Sequence, residues 1–474
     1  MSAALEAARR ALAGRRAWLV GGAVRDALLG RETADYDIVV EGDPGDAARA
    51  VAREGGRAAC FELSEEFGAW RVVARDGSWQ VDIEPMRAPA LEGDLALRDF
   101  TVNAIAEPLH GGERVDPLGG AADLRAGRLR AAGASAFAED PLRVLRLVRA
   151  AVELELVPDS ETLDRARSQA RGLGTVSGER VLVELRRIVA SPRPRAGIEL
   201  MCELGALAVV LPELGALRGV KQSAYHHADV YEHTLEVLDR AAELTSPGGL
   251  AAGEASLAVG GAAARAGALL DESLADEMTR GQALRWGALL HDAAKPLTRA
   301  VRPQDGRVTF MGHDRLGAEL ARTVLGRLRA SERLRAHVAG LVRHHLRLGF
   351  LVHEPQPPAR RTLYRYLHTC APVQADVTLL SVADRLATRG RRSDEAIAAH
   401  LRLAAEVLPA ALDWHEQPQP EPLVRGDELA GELGIAPGPE LGRLLEELAE
   451  ARFAGEITSR EEAISHARTL PVRS

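Results

Sequence analysis

Hydrophobic and polar positions alternate near the start of the chain. Trp18-Leu19-Val20 is a short apolar run closed by Gly21-Gly22, and Asp35-Tyr36-Asp37-Ile38-Val39-Val40 is a second run with polar residues at its head. Short runs bounded by glycine predict strands. Arg57–Phe61, Ala69–Ala74 and Trp79–Ile83 alternate similarly, whereas residues 2–13 and Pro44–Glu54 have helical character. A small mixed sheet with helices is therefore expected over residues 1–135. The period then changes. Leu142, Leu145, Val148 and Val152 recur at helical spacing, with Pro141 in the first turn and Glu139 and Asp140 at the positive end. Helical composition continues to the end of the chain. Ser246–Met278 is rich in Ala and Gly and reads as a loop insertion, and Trp414–Pro422 reads as a Pro-rich linker. Thr458, with Glu461 three residues later, is the expected N-cap of a last helix. The fold class is α+β, in four parts: 1–135, 136–220, 221–410 and 411–474.

Composition refines this picture in three ways. At 474 residues with 46% hydrophobic and 4% aromatic content, the cores must be built mainly from Ala, Leu and Val. Cys60, Cys202 and Cys370 are too widely spaced for a disulfide framework or a zinc pattern. No apolar run is long enough to span a membrane and the first residues lack a signal core, so a soluble, cytoplasmic setting is expected. The net charge of −8 argues against nonspecific coating of nucleic acid. It leaves room for a local basic groove: Arg125–Arg195 holds 14 arginines against 9 acids.

Candidate chemistry starts at the first strand. A Gly-Gly turn between strand and helix lets backbone N–H groups approach an anion, so Gly21 and Gly22 suit a triphosphate. Asp35 and Asp37 lie two apart on a strand and so share a face. Carboxylates side by side are costly unless they ligate cations, and hard Mg²⁺ prefers oxygen ligands. Together these are the parts of a metal-assisted nucleotidyl transfer site. Asp82, on a neighbouring predicted strand, is the candidate third carboxylate.

The stretch GGAVRD followed by DYD resembles the first motif of the class II tRNA nucleotidyltransferases, which include CCA-adding enzymes and bacterial poly(A) polymerases. The resemblance implies a head like that of DNA polymerase β, followed by a helical neck. Arg98-Asp99-Phe100-Thr101-Val102-Asn103-Ala104 is similar to that family's RRDFTINA motif, with Leu97 in place of the first Arg. By that likeness Arg25 and Arg98 contact the nucleotide and Asp99 its ribose, while Asn103 braces the turn. Between Asp82 and Asp94 the chain is shorter than in many family members, where a flexible loop is associated with adding the terminal A. A CC-adding or otherwise specialised enzyme therefore stays open.

In the neck, Asp140 can accept and Arg143 can donate. Cytosine and adenine each offer an amine donor beside a ring acceptor, so such a pair can satisfy either base, whereas uracil and guanine present an N–H to the arginine. The stretch Glu139-Asp140-Pro141-Leu142-Arg143 matches the family's EDxxR motif, and Arg146 and Arg149 resemble its triphosphate-side arginines.

Most of the 14 histidines fall in the third part. The order His233, His291-Asp292, Asp384 resembles the HD metal-dependent phosphohydrolases. Imidazole with carboxylate suits Mn, Fe, Co, Ni or Zn. His313 with His344 or His345 could supply a second metal, and His344 is the residue taken for that role. The tail is similar to the part of HD-bearing CCA-adding enzymes that grips the tRNA elbow.

The expected activity is template-independent addition of CCA, or part of it, to tRNA 3′ ends from CTP and ATP, using Mg²⁺. A poly(A) polymerase shares the head. From another class, the chain could be an HD phosphohydrolase acting on RNA ends with the head positioning the RNA. A purely RNA-binding protein would not need paired metal carboxylates.

Overall fold

The computed structural model describes residues 2–64, 68–222, 228–390, 393–417 and 420–471. His226 and His227, in the histidine-bearing stretch before the His233 helix, lie outside the described residues. By internal contacts the chain divides into two units. One comprises Met1–Val176 with Gly197–Val210, the other Ser177–Ala196 with Leu211–Ser474.

The first unit is built on a six-stranded sheet: β1 (Ala17–Val20), β2 (Asp35–Val40), β3 (Ala59–Ser64), β4 (Ala69–Val73), β5 (Gln80–Pro85) and β6 (Ala106–Pro108), ordered β3-β4-β5-β2-β1-β6. Only β2 and β5 run parallel, in a register that sets Asp37 opposite Asp82. The two-residue period of β2 sorts its side chains. Tyr36, Ile38 and Val40 enter a core with Val51, Val72, Val81 and Ile83 beneath the Ala3–Ala11 and Pro44–Glu54 helices. Asp35, Asp37 and Val39 take the other face, where Val39 packs with Trp18, Val20, Leu91 and Leu95. Next to the sheet are the one-turn Ala136–Glu139 helix and the Arg143–Leu154 helix, whose Leu145, Val148 and Val152 are buried with Leu142 at its N-cap.

The second unit is helical. The Val230–Leu244, Arg280–Leu290, Glu332–His344 and Gln374–Ala387 helices share a core through Val237, Leu284, Leu341 and Leu380. Arg285 is buried and donates to the carbonyls of Val189, Ala190 and Ser191 at 3.2, 2.8 and 2.8 Å, capping the Gly178–Ala190 helix.

Three sequence expectations are corrected here. Residues 246–278 are not a loop: they contain the Ala255–Val259 and Ala263–Asp271 helices, and Leu250, Ala258, Val259, Ala266 and Leu269 enter the core. Small side chains let these helices approach closely, so the alanines that read as low complexity are packing residues. Trp414 belongs to the Ser393–Glu416 helix, not to a linker, and residues 418 and 419 lie outside the described ones. The last helix, Arg460–Thr469, is capped by Ser459 in a capping box with Glu462, while Thr458 donates both its N–H and its hydroxyl to Glu462 Oε2. That shifts the expected cap by one residue.

Candidate active site and metal centre

The sheet brings the three head carboxylates to one face. Asp35 is exposed at the start of β2, Asp37 follows two residues on, and Asp82 stands opposite Asp37 on β5. Arg71 on β4 is opposite Asp82 and holds both of its oxygens, Nε to Oδ1 and Nη2 to Oδ2, each at 2.7 Å. Among the described residues Asp37 has no such partner. Burial pushes its carboxyl up to about 6, assisted by Glu84 and Asp82 and opposed by Arg98 and Arg146. A bound cation would remove that penalty. The residues fit a divalent ion.

Gly21 has a positive φ of 68°, and a Cβ there would lie 3.1 Å from both Asp37 Oδ2 and Arg98 Nη1. A side chain would fill the space above the carboxylate. Arg98 is half-buried, its Nε and Nη2 atoms are buried and make no hydrogen bond, and Nη2 lies 3.8 Å from Glu84 and from Asp94. Buried guanidinium donors without acceptors suit a phosphate. Gly22 starts the Gly22–Leu28 helix, in which Arg25 donates to Asp26 Oδ1 at 2.8 Å and to Asn103 Oδ1 at 2.7 Å.

Asp99 is buried at the turn that follows. It accepts from Phe100 N–H and Asn103 Nδ2 through Oδ1 and from Arg146 through Oδ2. Burial alone would raise its carboxyl, but Arg146, Asn103 and the Phe100 amide hold it well below the usual range. Arg143 donates to Leu97 O at 2.9 Å and Ala136 O at 3.1 Å, and Asp140 Oδ1 accepts the Leu142 N–H at 3.1 Å. Arg149 lies six residues beyond Arg143 on the same helix.

In the second unit, His233, His291, Asp292, His313 and His345 converge. His291, His313 and His345 each direct Nδ1 at the carbonyl three residues earlier, Ala288, Phe310 and Val342, at 2.8, 2.7 and 2.7 Å. That bond assigns the proton to Nδ1 and leaves the Nε2 lone pair pointing inward. Two such lone pairs, on His313 and His345, face each other 3.3 Å apart. His291 Nε2 is buried without a hydrogen bond. This donor set suits a cation, and two overlapping groups could hold one: His233, His291 and Asp292, and Asp292, His313 and His345. Asp384 lies 3.1 Å from His233 Nε2. Burial pushes Asp292 up, yet His291 and Lys295 hold it well below the carboxylate range, Lys295 Nζ lying 2.6 Å from Oδ2.

His344 is a correction. It is not in either group; His345, at the C-cap of the Glu332–His344 helix, is. One helical residue is about 100° of rotation, so adjacent histidines cannot share a target. His344 instead lies near Arg347 and Arg343, and burial with those charges lowers it to about 4.

Arg71, Glu84 and Lys295, which touch the candidate residues Asp82, Arg98 and Asp292, are not marked by any sequence motif. The alternation of β4 and β5 could have suggested Arg71, but its pairing with Asp82 depends on register, which alternation does not give. Lys295 follows Asp292 by three residues on a helical turn, a usable signal.

Known proteins match each of these regions. Residues 17–130 match the poly A polymerase head domain, 157–217 the probable RNA and SrmB-binding site of polymerase A, and 230–389 the HD domain. An A-adding tRNA nucleotidyltransferase of Deinococcus radiodurans is 39% identical, covering 94% of this chain and 93% of its own length. A CC-adding tRNA nucleotidyltransferase of Thermus thermophilus is 35% identical, covering 94% and 92%. Among solved structures, a CCA-adding enzyme with CTP shares the fold at a TM-score of 0.60 and 18% identity, covering 98% of this chain and 97% of its own. The Thermotoga maritima CCA-adding enzyme complexed with tRNA does so at 0.57 and 20%, covering 98% and 93%.

Proposed function

The chain belongs to the tRNA nucleotidyltransferase family, and from that premise we propose that it adds part of the terminal CCA to tRNA 3′ ends, using CTP or ATP without a nucleic-acid template. The observation that carries this reading is the face shared by Asp35 and Asp37, open at Gly21 and flanked by the unpartnered donors of Arg98. Asp35 and Asp37 would hold Mg²⁺, with Asp82 fixed beside them by Arg71. When bound, the metal supplies charge neutralisation at the triphosphate and lowers the cost of ionising the attacking 3′-hydroxyl.

The protein groups divide the remaining work. Arg98, Arg146 and Arg149 bind the triphosphate, Asp99 the ribose, and Asp140 with Arg143 the Watson–Crick edge of C or A, with Arg25 bracing the turn through Asn103. In this reading residues 1–135 carry the chemistry and 136–220 choose the base, while 411–474 hold the tRNA. The 3′-oxygen forms a bond to the α-phosphorus as pyrophosphate leaves, so a fixed nucleotide and a positioned hydroxyl account for most of the catalysis. The described helices include none long and apolar enough to cross a membrane.

The test is to incubate a tRNA transcript lacking CCA with each NTP and sequence the ends. Incorporation of C or A alone supports the reading. Long A tracts would favour a poly(A) polymerase.

The histidine cluster supports a second activity at residues 221–410, metal-dependent hydrolysis of a phosphate ester. The metal would be Mn, Fe, Co, Ni or Zn. A cavity of about 250 Å³ bordered by His345, His353, Asp384, Arg385 and His400 gives such a substrate room beside the cluster. Release of phosphate or opening of a 2′,3′-cyclic nucleotide, dependent on His291, checks it.

A further inference from the structure

The two oxygens of Asp99 carry four hydrogen bonds. Oδ1 accepts Phe100 N–H at 2.8 Å and Asn103 Nδ2 at 2.9 Å, and Oδ2 accepts Arg146 Nε at 2.8 Å and Nη2 at 2.6 Å. A carboxylate has about four lone-pair sites, so none remains for a ribose hydroxyl. The two oxygens are not held alike. Oδ1 is tied to the backbone of the next residue and to an asparagine that Arg25 itself braces at 2.7 Å. Oδ2 is held by one side chain, Arg146, which is 37% exposed and comes from the separate Arg143–Leu154 helix.

We propose that Arg146 gates ribose recognition. The β- and γ-phosphates of an incoming nucleotide draw the Arg146 fork away from Asp99 Oδ2, and the vacated oxygen accepts a hydrogen bond from a ribose hydroxyl. A phosphate matches the guanidinium fork as a carboxylate does and carries more charge, so the exchange is favourable when a triphosphate is present. Oδ1 keeps its two bonds throughout, and the carboxylate does not move. A nucleotide lacking the outer phosphates leaves Arg146 in place and its sugar unread. Ribose selectivity is thereby made conditional on the triphosphate, which excludes monophosphates and deoxynucleotides through one ion pair. This rests on the proposed nucleotide roles of Asp99 and Arg146.

The experiment measures binding of CTP and CMP, each against its 2′-deoxy and 3′-deoxy analogues, to the full-length protein. In the wild type, loss of the recognised hydroxyl weakens CTP by about tenfold, the size expected for a hydrogen bond to a charged group, and leaves CMP within about twofold. Arg146→Ala weakens CTP, but CMP now loses about tenfold on removal of the same hydroxyl, because Oδ2 is already open. A structural role for Arg146 would not create new discrimination. Equal discrimination by wild type for CMP and CTP overturns the proposal, as does an Arg146→Ala protein in which CMP stays indifferent. If that variant does not fold, the wild-type comparison and Arg146→Gln decide. A wild type that adds neither C nor A to tRNA would instead overturn the proposed function.

Discussion

Asp37 and Asp82 stand opposite each other across the parallel pair β2 and β5, but only Asp82 is held by an arginine, with Arg71 on both of its oxygens. Asp37 is the carboxylate that a cation would neutralise in the proposed function. Asp37→Asn keeps the shape and removes the charge, so incorporation of C or A into tRNA should fall by roughly 10³-fold or more, the scale of several kcal/mol at a metal ligand. Binding of tRNA in a gel-shift assay should be unchanged, and thermal stability should not fall, because a buried carboxyl raised to about 6 is replaced by a neutral amide.

The histidine cluster separates two adjacent residues. His345→Ala removes a side chain whose Nε2 lies 3.3 Å from that of His313, whereas His344→Ala removes one outside both groups. Metal content measured by mass spectrometry, and any phosphohydrolase activity, should drop in the first variant and persist in the second. Loss of affinity should exceed the 10- to 100-fold typical of outer-sphere partners. Equal metal content in both variants would be evidence against the site.

Much of the head could be read from the chain, because alternation and glycine punctuation report the local backbone directly. The β2 strand and the Pro44–Glu54 helix fall where that pattern puts them. What alternation does not encode is partner choice. Arg71 reaches Asp82 only because β4 and β5 pair in one register, and Arg146 reaches Asp99 from 47 residues away. His345 and His344 are equivalent in sequence and are distinguished only by helix rotation. The alanines of 255–271 misled for a different reason: small residues mark loose loops and tight helix contacts alike, and only the neighbours decide.

His400 gives a pH dependence. It is buried, its Nε2 lies 3.0 Å from Ser381 Oγ, and burial followed by the charge of Arg385 lowers it from 6.5 to about 4. Its neutral form is the one that fits, so the stabilisation is complete above pH 6.5 and is lost as pH falls toward 4. A displacement of this size corresponds to about 3 kcal/mol, of which roughly 2 is lost between pH 6.5 and 5. The melting temperature of the wild type should therefore fall more steeply over that interval than that of His400→Gln. Parallel curves would show that His400 is not the titrating group.

Arg285 ends the Gly178–Ala190 helix by donating to three of its last carbonyls from inside the core. Two of those bonds, to Val189 and Ser191, are buried, so Arg285→Ala should destabilise the protein by about 3 kcal/mol. Burial already lowers this guanidinium to about 10, a sign of how dry its setting is. Chemical denaturation should show the loss, while incorporation per folded molecule at low temperature should stay close to wild type. Arg285→Lys should recover only part of the stability, since the three carbonyls are all met by Nη1 and a lone ammonium there gives up the Nε bond to Thr245 Oγ1 and the Nη2 bond to Ala242 O.

The proposed addition of only part of CCA can be tested at the segment between Asp82 and Asp94. It is short, and buried Asp94 pins it by accepting the Arg87 N–H at 2.9 Å through the oxygen that also faces Arg87 Nε. In the proposed reading, a segment tethered in this way is expected to resist re-forming the nucleotide pocket when the required base changes from C to A. The expected outcome is addition of one base type: either two C residues to tRNA ending at the discriminator base, or one A to tRNA ending in CC. Sequencing the ends of both substrates after incubation with CTP and ATP together distinguishes these. A complete CCA on the first substrate would show that the pinned segment does not restrict the pocket, and Asp94→Ala would then leave the product unchanged.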